Sequence, residues 1–553
     1  MNYYERGSII GDRVEANPFV VPPSGGMVGR VAGRFRLTAV LRTLSHTTSL
    51  RPLHSRAAVA DSTAMKRVPS VAAALLLSAV VAYPQQELPE RDCGVPPPKP
   101  QQHRAGGEGV PPLPLPAVPL RRTEKKEPPA PPTLMAHLQL GPYESWNADP
   151  GALVQMFNRA ADAMRVRYGH MNVTLENFSY DPHELPLLYF GGTKPFEFND
   201  AQRQKLRKYM EEGGTLFLEA NSGFDEFRAS AVKEIKAIFP DKDLRRLPLD
   251  HPVFSSLHKI TEVEYMKTVD SVPDNKPYLE GVDLGTRTVL FYTPYGMSCA
   301  WDGHTHKKNR GLGPAAANQI GANIIAYCVA EHNNVAPIGQ SVAYNDKDQA
   351  RRSQIVVGQL QHRGEWKATP SAIPALLENA VGVLNLQAKF QQVPVDLTKD
   401  DLTTVPFLFL SGMYDFQLNE TEAVRLRMYL LNGGFLLAES CVGRDSFDKA
   451  FRREMKKVFP DKDLALLQPD HPLYSTHYQI GQIAYTDRVK QLRPDLSGPV
   501  MEAVSIDERA VVVYSRYSLS TGWEGNLSAY NMGVASKDAF QIGVNVIQYA
   551  LTH

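Results

Sequence analysis

Short apolar runs alternate with helical stretches over most of the chain after residue 133. The segments Leu187–Phe190 and Thr215–Leu218 are short and rich in β-forming residues, which is typical of buried strands. A helix is predicted between them, because Asn199 and Gln202 have capping-box spacing and Gly213-Gly214 ends the helical pattern. Strands that alternate with helices predict βαβ units and a mainly parallel sheet.

The same succession of elements occurs twice. Gly433-Gly434 repeats Gly213-Gly214, and Asp470-His471-Pro472 repeats Asp250-His251-Pro252, both at an offset of 220 residues. After Tyr265 the offset becomes 222 residues. A period of this length indicates duplication of a whole domain rather than a solenoid. We predict two repeats, 134–330 and 353–553, joined by a linker at 331–352.

Particular motifs of the repeats support a family resemblance. They are the run LLYFGG from Leu187, the run GGFLLAESCVG from Gly433, the run FRREMK from Phe451 and the run DHPL from Asp470. The chain resembles the bacterial domain of unknown function 4159, which is similar in fold to class I glutamine amidotransferase-like domains. The resemblance implies an α/β fold, with two tandem flavodoxin-like domains and mainly parallel sheets, in a cell-envelope context. It implies no known reaction.

The N-terminal region predicts export. Met65, Lys66 and Arg67 precede a short apolar run, and the small residues Val80 and Ala82 precede the expected cleavage site. This is the pattern of a secretory signal peptide at 65–82. We interpret residues 1–64 as an upstream mis-start or disordered segment, with a transit peptide as the alternative. The Pro-rich stretch 83–133 is interpreted as a tether. The expected location is therefore periplasmic or extracellular, with a mature terminus near Tyr83.

Composition removes several classes of function. The chain has 60 Lys and Arg against 59 Asp and Glu, so it lacks the positive charge of a nucleic-acid binder. Its apolar signal run is too short to span a bilayer. Its four cysteines have no CxxC spacing, so neither a zinc site nor a disulfide framework is indicated. We expect no transmembrane segment, cofactor or metal.

Candidate ligand-binding residues follow the predicted strands, because ligands of open α/β sheets bind at the carboxyl ends of strands. In the two repeats they are Gly191, Gly192, Glu219 and Asp225, and Ser411, Gly412, Glu439 and Asp445. A carboxylate directly after a buried strand requires a structural partner or a ligand. For the two glutamates, the sequence does not decide between a structural partner and a ligand. The two aspartates are predicted helix caps.

Histidine and tryptophan residues give weaker signals. His251 and His471 lie in Asp-His-Pro turns, which favours a structural role, with a general base or a metal ligand as alternatives. Trp523 is a candidate for stacking on a sugar or peptide, or for filling a cleft wall. His304 and His306 have a spacing that a metal can use, but the second repeat has no counterpart.

Cys441 is the candidate nucleophile. It follows a predicted strand and precedes a helix, as the nucleophile of class I amidotransferases does in the family resemblance. Those enzymes have a late His-x-Glu pair, which is missing after Cys441. The first repeat carries Asn221 at the matching position.

Two functions follow from these observations. The favoured interpretation is a non-catalytic binding or scaffold protein of the envelope, with other envelope proteins or a small polar ligand as partners. The alternative is a hydrolase or amidase on a cell-wall or carbohydrate-like substrate, with Cys441 and His471 as catalytic residues or Glu439 paired with His471. A cluster of Glu439, Cys441 and His471 within hydrogen-bond reach would favour the enzyme.

Overall fold

The computed structural model describes residues 132–332 and 355–553, except 267–268, 270–273, 306, 389–392 and 527. The predicted mis-start, signal peptide and tether lie outside the described residues, apart from the last residues of the tether. Most of the predicted linker at 331–352 also lies outside them. The fold described below is that of the two repeats.

The first repeat contains a seven-stranded sheet in the order β2-β1-β3-β4-β7-β6-β5. Strands β1 to β4 and β7 are parallel, whereas β6 and β5 continue the sheet antiparallel beyond β7. The five parallel strands have the succession of the flavodoxin-like order 2-1-3-4-5. The strands are β1 Thr133–Leu138, β2 Gly169–Val173, β3 Leu187–Gly192, β4 Thr215–Ala220, β5 Arg245–Arg246, β6 Glu280–Leu284 and β7 Arg287–Thr293.

Helices cover both faces of this sheet, as the parallel strand order requires. One face packs against Ala152–Met164 and Pro314–His332, through residues such as Phe157 and Ile324. The other face packs against Asp200–Glu211 and Asp225–Ile238, through residues such as Leu206 and Phe227. Two single-turn helices complete the repeat, Tyr143–Trp146 and Ser298–Trp301.

The second repeat has the same topology, with the sheet order β9-β8-β10-β11-β14-β13-β12. Its strands are β8 Val357–Leu360, β9 Val393–Val395, β10 Phe407–Gly412, β11 Phe435–Ser440, β12 Ala465–Leu466, β13 Met501–Ile506 and β14 Arg509–Ser515. Its helices are Ala372–Leu384, Glu420–Leu431, Asp445–Val458, Asp487–Leu492, Ser520–Trp523 and Ser536–Thr552. The predicted duplication of one α/β domain is confirmed.

The helix ends show which local signals were right. Both predicted capping boxes are present, at Asn199 and Asn419. The prediction that Asp225 and Asp445 are helix caps is wrong, because each is the first helical residue and the preceding residue holds the cap position. Both aspartates lie in the first turn, where a negative charge is favourable near the positive end of the helix dipole.

The two repeats pack against each other through opposite ends of their sheets. The β6–β7 turn of the first repeat reaches the second, where Asn526 Nδ2 donates to Thr286 Oγ1 at 2.7 Å. The C-terminal end of the helix Pro314–His332 also contacts the second repeat, where Ser528 Oγ donates to Glu331 Oε1 at 2.7 Å. The rings of Tyr327 and Tyr530 stack in parallel, 5.4 Å apart. The beginning of β7 therefore faces the loops that follow the strands of the second repeat.

Two carboxyl groups of the first repeat add hydrogen bonds to this contact. The Asp283 carboxylate accepts hydrogen bonds from Thr288 Oγ1 within the first repeat and from the Tyr414 hydroxyl of the second. The Asp250 carboxylate accepts from the backbone N–H of Ser446 at 2.8 Å and from its hydroxyl at 2.5 Å. Hydrogen bonds to charged groups contribute about 1.5–3 kcal/mol each. The second repeat's strand-end loops are thus a docking surface for the first repeat.

Candidate functional site

The predicted glycines are needed by the packing of the strand ends themselves. A Cβ at Gly191 would lie 2.4 Å from Asn221 Oδ1, and one at Gly192 would lie 2.6 Å from the Phe227 ring. In the second repeat a Cβ at Gly412 would lie 2.6 Å from the carbonyl oxygen of Gly364. These contacts account for the glycines without a ligand.

Glu219 lies near the end of β4 and is completely buried. Its Oε1 accepts the backbone N–H groups of Met297 at 2.7 Å and Ser298 at 2.8 Å, and its Oε2 accepts the Tyr189 hydroxyl at 2.9 Å. Burial raises the pKa of this carboxyl to about 7, against the opposing effect of the hydrogen bonds. Glu219 therefore fixes the turn after β7 to the end of β4.

Glu439 repeats this arrangement at the end of β11. It accepts the backbone N–H groups of Leu519 and Ser520, and it accepts the Ser411 hydroxyl at 2.8 Å. Burial raises the pKa of its carboxyl as well. The structural partners that a buried carboxylate requires are present in both repeats.

Cys441 begins the turn Cys441–Gly443 after β11 and has no exposed surface. Burial, with the nearby Glu439 carboxylate, raises the pKa of its thiol well above the ordinary value. The thiol form is therefore favoured at neutral pH, whereas a nucleophile requires the thiolate.

The two Asp-His-Pro histidines lie away from these glutamates. His251 caps the turn Pro252–Phe254, and its Nε2 is 2.8 Å from Thr288 Oγ1, near the beginning of β7. His471 caps the equivalent turn and packs against Tyr549, whose hydroxyl accepts the N–H of Ala510 near the beginning of β14.

Glu439 lies at the other end of that strand, because it pairs in register with Ser515, the last residue of β14. His471 and Glu439 are therefore at opposite ends of β14. A groove of about 390 Å³ opens beside His471. The equivalent surface of the first repeat contacts the second repeat, through Asp250 and Asp283.

The remaining predicted residues have structural contacts. Trp523 is buried, and its Nε1 donates to the carbonyl of Ala539 at 2.9 Å. Asp445 pairs with Arg516, and Asp225 pairs with both Arg228 and Arg310. The residues predicted from the sequence thus do not form a single site.

A different cluster lies at the strand ends of the first repeat, formed by Asp149, Cys299 and His304. We call it the Asp149 cluster. A carboxylate oxygen, the thiol sulfur and an imidazole nitrogen of its three buried side chains all lie within 4.8 Å of one another. His304 Nε2 is 3.0 Å from Asp149 Oδ1, and Cys299 Sγ is 3.6 Å from Asp149 Oδ2. Ser222 Oγ lies 3.2 Å from the same sulfur.

Local backbone geometry brings the cluster together. Cys299 lies in the helical turn Ser298–Trp301, which Glu219 holds in place. Gly303 then adopts a φ of +78°, which allows the chain to reverse. The N–H of His304 consequently donates to the carbonyl of Cys299 at 3.0 Å. Asp149 is placed opposite, in the loop that follows β1.

His304 lies between two carboxylates. Its Nδ1 is 3.1 Å from Asp302 Oδ2, and its Nε2 contacts Asp149 on the other side. Burial acts to lower the pKa of this imidazole, but the carboxylates outweigh burial and raise it to about 11.

The second repeat lacks this cluster although it has the same loops. Thr369, Thr521 and Asn526 occupy the positions of Asp149, Cys299 and His304. Thr521 Oγ1 donates to Asn531, and Asn526 donates to Thr286 of the first repeat. In the second repeat these positions contribute ordinary hydrogen bonds to its own fold and to the docking surface.

Sequence reasoning identified His304 only as one of a histidine pair and missed Asp149 and Cys299. His306 lies outside the described residues. The signal that could have found the cluster is the difference between the repeats. At three matched positions after strands, the first repeat has chemically reactive side chains and the second repeat has unreactive ones. Searching only for residues shared by both repeats excluded them.

Among the described residues, no helix has both the length and the apolar character needed to cross a membrane. The sequence matches the domain of unknown function DUF4159 twice in tandem, over residues 134–329 and 356–551. The chain therefore belongs to this family. Comparison with curated proteins found no match.

Proposed function

We propose that this two-copy member of the DUF4159 family is an exported, envelope-associated binding protein with one working site per chain. The working site is the Asp149 cluster at the strand ends of the first repeat. The second repeat supports the first and has no catalytic role. The partner is a small polar ligand or another envelope protein.

The contrast between the two strand-end edges carries this proposal. In the second repeat the edge is occupied, because Tyr414, Ser446 and Asn526 bind the first repeat. In the first repeat the equivalent edge carries a thiol, an imidazole and carboxylates in mutual contact. Polar groups that converge at the strand ends of an open α/β sheet are typical of a binding site.

The arrangement of the second repeat favours binding over hydrolysis there. Cys441 is buried as a thiol, Glu439 is saturated by donors of its own chain, and His471 lies at the far end of β14. A nucleophile and its base need to be within hydrogen-bond reach. The hydrolase alternative lacks that contact in the second repeat.

Export is part of the proposal and rests on the signal-like segment 65–82. Expression of the full chain in a bacterium, followed by fractionation and N-terminal sequencing, tests it. We expect a product in the envelope or the medium that begins near Tyr83. A product that retains residues before Met65 in the exported fraction would contradict it.

The binding role is tested by affinity capture with the tagged mature protein from a detergent-solubilised envelope fraction. Mass spectrometry of the captured proteins and of small molecules released on denaturation is the measurement. We expect Asp149→Asn to lose the species that the unaltered protein retains, and the matched variant Thr369→Val to keep it. Loss with Thr369→Val alone, or equal retention by both variants, would contradict the assignment to the first repeat.

A further inference from the structure

We infer that the Asp149 cluster is a zinc-binding site, with Asp149, Cys299 and His304 as its protein ligands. The inference rests on the proposed function, since it names the chemistry of the same site. Zn²⁺ is bound in proteins by thiolate, imidazole and carboxylate groups, and the cluster supplies one of each.

The spacing of the ligand atoms suits this ion. Zn–S distances near 2.3 Å and Zn–N or Zn–O distances near 2.0 Å place tetrahedral ligand atoms about 3.4 Å apart. His304 Nε2 lies 3.0 Å from Asp149 Oδ1, and Cys299 Sγ lies 3.6 Å from the other carboxylate oxygen, Asp149 Oδ2. With one ligand atom taken from each residue, the three atoms all lie within 4.8 Å of one another. An ion can therefore enter between them with only small movements of the side chains.

Asp302 is placed within ion-pair distance of His304, on the side of the ring where metal-binding histidines usually contact an outer carboxylate. Its Oδ2 lies 3.1 Å from His304 Nδ1, the ring nitrogen opposite the ligand position. A ligating histidine usually donates its second N–H to a carboxylate, which fixes the tautomer and the orientation of the ring. This arrangement leaves Nε2 for the metal, on the side where it contacts Asp149 Oδ1 at 3.0 Å.

Charge balance also favours a divalent ion. Zn²⁺ binding would release the thiol proton of Cys299 and the second imidazole proton of His304. The thiolate and the Asp149 carboxylate then compensate the two positive charges of the ion, and the imidazole is neutral. A neutral set costs far less to bury than an unpaired charge. Cys299 is completely buried, and the exposed fractions of Asp149 and His304 are 8% and 4%.

Three protein ligands leave the fourth tetrahedral position for an exogenous group. Zinc sites with three protein ligands hold water or a substrate oxygen at that position. The class of ligand that fits is therefore a small molecule or peptide group that coordinates through oxygen or nitrogen.

The second repeat provides an internal control. Thr369, Thr521 and Asn526 replace the three ligands, so the same fold is present without the thiolate and imidazole. The inference thus predicts one zinc ion per chain.

The test uses the full mature chain after removal of metals with a chelator and dialysis. Zn²⁺ is then titrated by calorimetry, and bound metal is counted by elemental mass spectrometry. Co²⁺ serves as a spectroscopic probe of thiolate ligation. We expect one Zn²⁺ per chain and a thiolate-to-cobalt charge-transfer band.

Variants assign the ligands. Cys299→Ser is expected to abolish the charge-transfer band, whereas the matched buried-thiol variants Cys328→Ser and Cys441→Ser are expected to keep it. Asp302→Asn is expected to weaken zinc binding about 10- to 100-fold without removing the band, as loss of an outer carboxylate does. Circular dichroism of each variant checks the fold. If Cys299→Ser fails to fold, loss of bound Zn²⁺ in His304→Gln, counted by elemental mass spectrometry, replaces loss of the band as the test.

Binding of less than about 0.1 Zn²⁺ per chain, or one Zn²⁺ per chain that survives both Cys299→Ser and His304→Gln, would overturn the inference. Rapid alkylation of Cys299 that is the same with and without Zn²⁺ would also overturn it. If zinc does not bind but Asp149→Asn still loses the captured species, only the zinc assignment fails. If zinc binds as expected but capture is unchanged in Asp149→Asn, the binding role fails and the metal site stands.

Discussion

The loops at the carboxyl ends of the parallel strands, called the strand-end edge of each repeat, have the same backbone conformation in the two repeats but different surroundings. In each, a single helical turn after the last parallel strand ends in a glycine, and the next residue donates back into the turn. His304 N–H donates to Cys299 at 3.0 Å, and Asn526 N–H donates to Thr521 at 2.8 Å. The first edge collects reactive groups, whereas the second is covered by its neighbour.

This difference shows that two copies of one fold can use the same strand ends for different contacts. The edge of an α/β sheet suits either a ligand or a partner domain, because its loops present unpaired polar groups. When the first repeat docks on that edge of the second, the covered copy is constrained by packing. In the first repeat the same strand ends carry the Asp149 cluster, so the residues that differ between the copies are the ones that bear on the proposed function.

The largest expected effect tests what the two edges share. Glu219→Ala and Glu439→Ala are each expected to lower the free energy of unfolding by about 4 kcal/mol, because each leaves two buried N–H groups and at least one hydroxyl without an acceptor. Denaturant unfolding of the full chain is the measurement. The exposed Glu226→Ala is the control, with a change below about 0.5 kcal/mol. An effect confined to one repeat would show that the glutamates do not share a structural role.

A second effect sharpens the comparison through pH. The pKa of Glu219 is raised from 4.5 to about 7 in the folded protein. A buried acid with a raised pKa stabilises the fold below pH 4.5 and loses that contribution as the pH rises through 7. Relative to Glu219→Gln, the unaltered protein should lose up to about 3 kcal/mol between pH 4.5 and pH 8. Unfolding curves that shift in parallel for both proteins over this range would contradict it.

A third prediction concerns the contact between the two repeats at Ser446. Ser446 holds the Asp250 carboxylate of the first repeat, and the matching position in the first repeat is Glu226. Ser446→Glu places two carboxylates in contact and should destabilise the protein by about 2 kcal/mol. The reciprocal variant Glu226→Ser should be neutral, because that residue is exposed. Thermal unfolding of both variants checks this, and equal effects would show that position 446 is not at a docking surface.

The smallest effect concerns Cys441. Its thiol is buried and its pKa is raised, so we expect labelling by iodoacetamide to be slower than that of a free thiol at neutral pH. Cys441→Ser should leave envelope capture unchanged. Labelling faster than that of a free thiol, together with loss of capture, would return the nucleophile hypothesis to the second repeat.

Much of the fold follows from local signals in the sequence. The buried strands β3, β4, β10 and β11 are near-continuous apolar runs, and the helices between them carry both capping boxes. The edge strands could not be predicted in the same way. Gly169–Val173 and Arg245–Arg246 are short and partly exposed, so their pairing depends on the neighbouring strand and not on their own apolar pattern.

The candidate site was less predictable for a related reason. Glu219 and Glu439 were identified as buried acids, but their partners come from the turn after the last strand, about 80 residues further along the chain. Asp149 and Cys299 are likewise 150 residues apart. Such groups meet only through the strand order, since β1 and β7 both run parallel to β4 and end at one edge. The apolar periodicity along the chain does not predict contacts between residues that are so far apart in sequence.

The most direct test converts the first edge into the second. The triple variant Asp149→Thr, Cys299→Thr and His304→Asn gives the first repeat the residues that the second repeat has at the same positions, while the docking surface stays unchanged. Zinc per folded chain, counted by elemental mass spectrometry, is expected to fall from one to zero, with circular dichroism used to show that the variant is folded. A triple variant that still holds one zinc ion per chain would contradict the assignment of the working site to the first repeat.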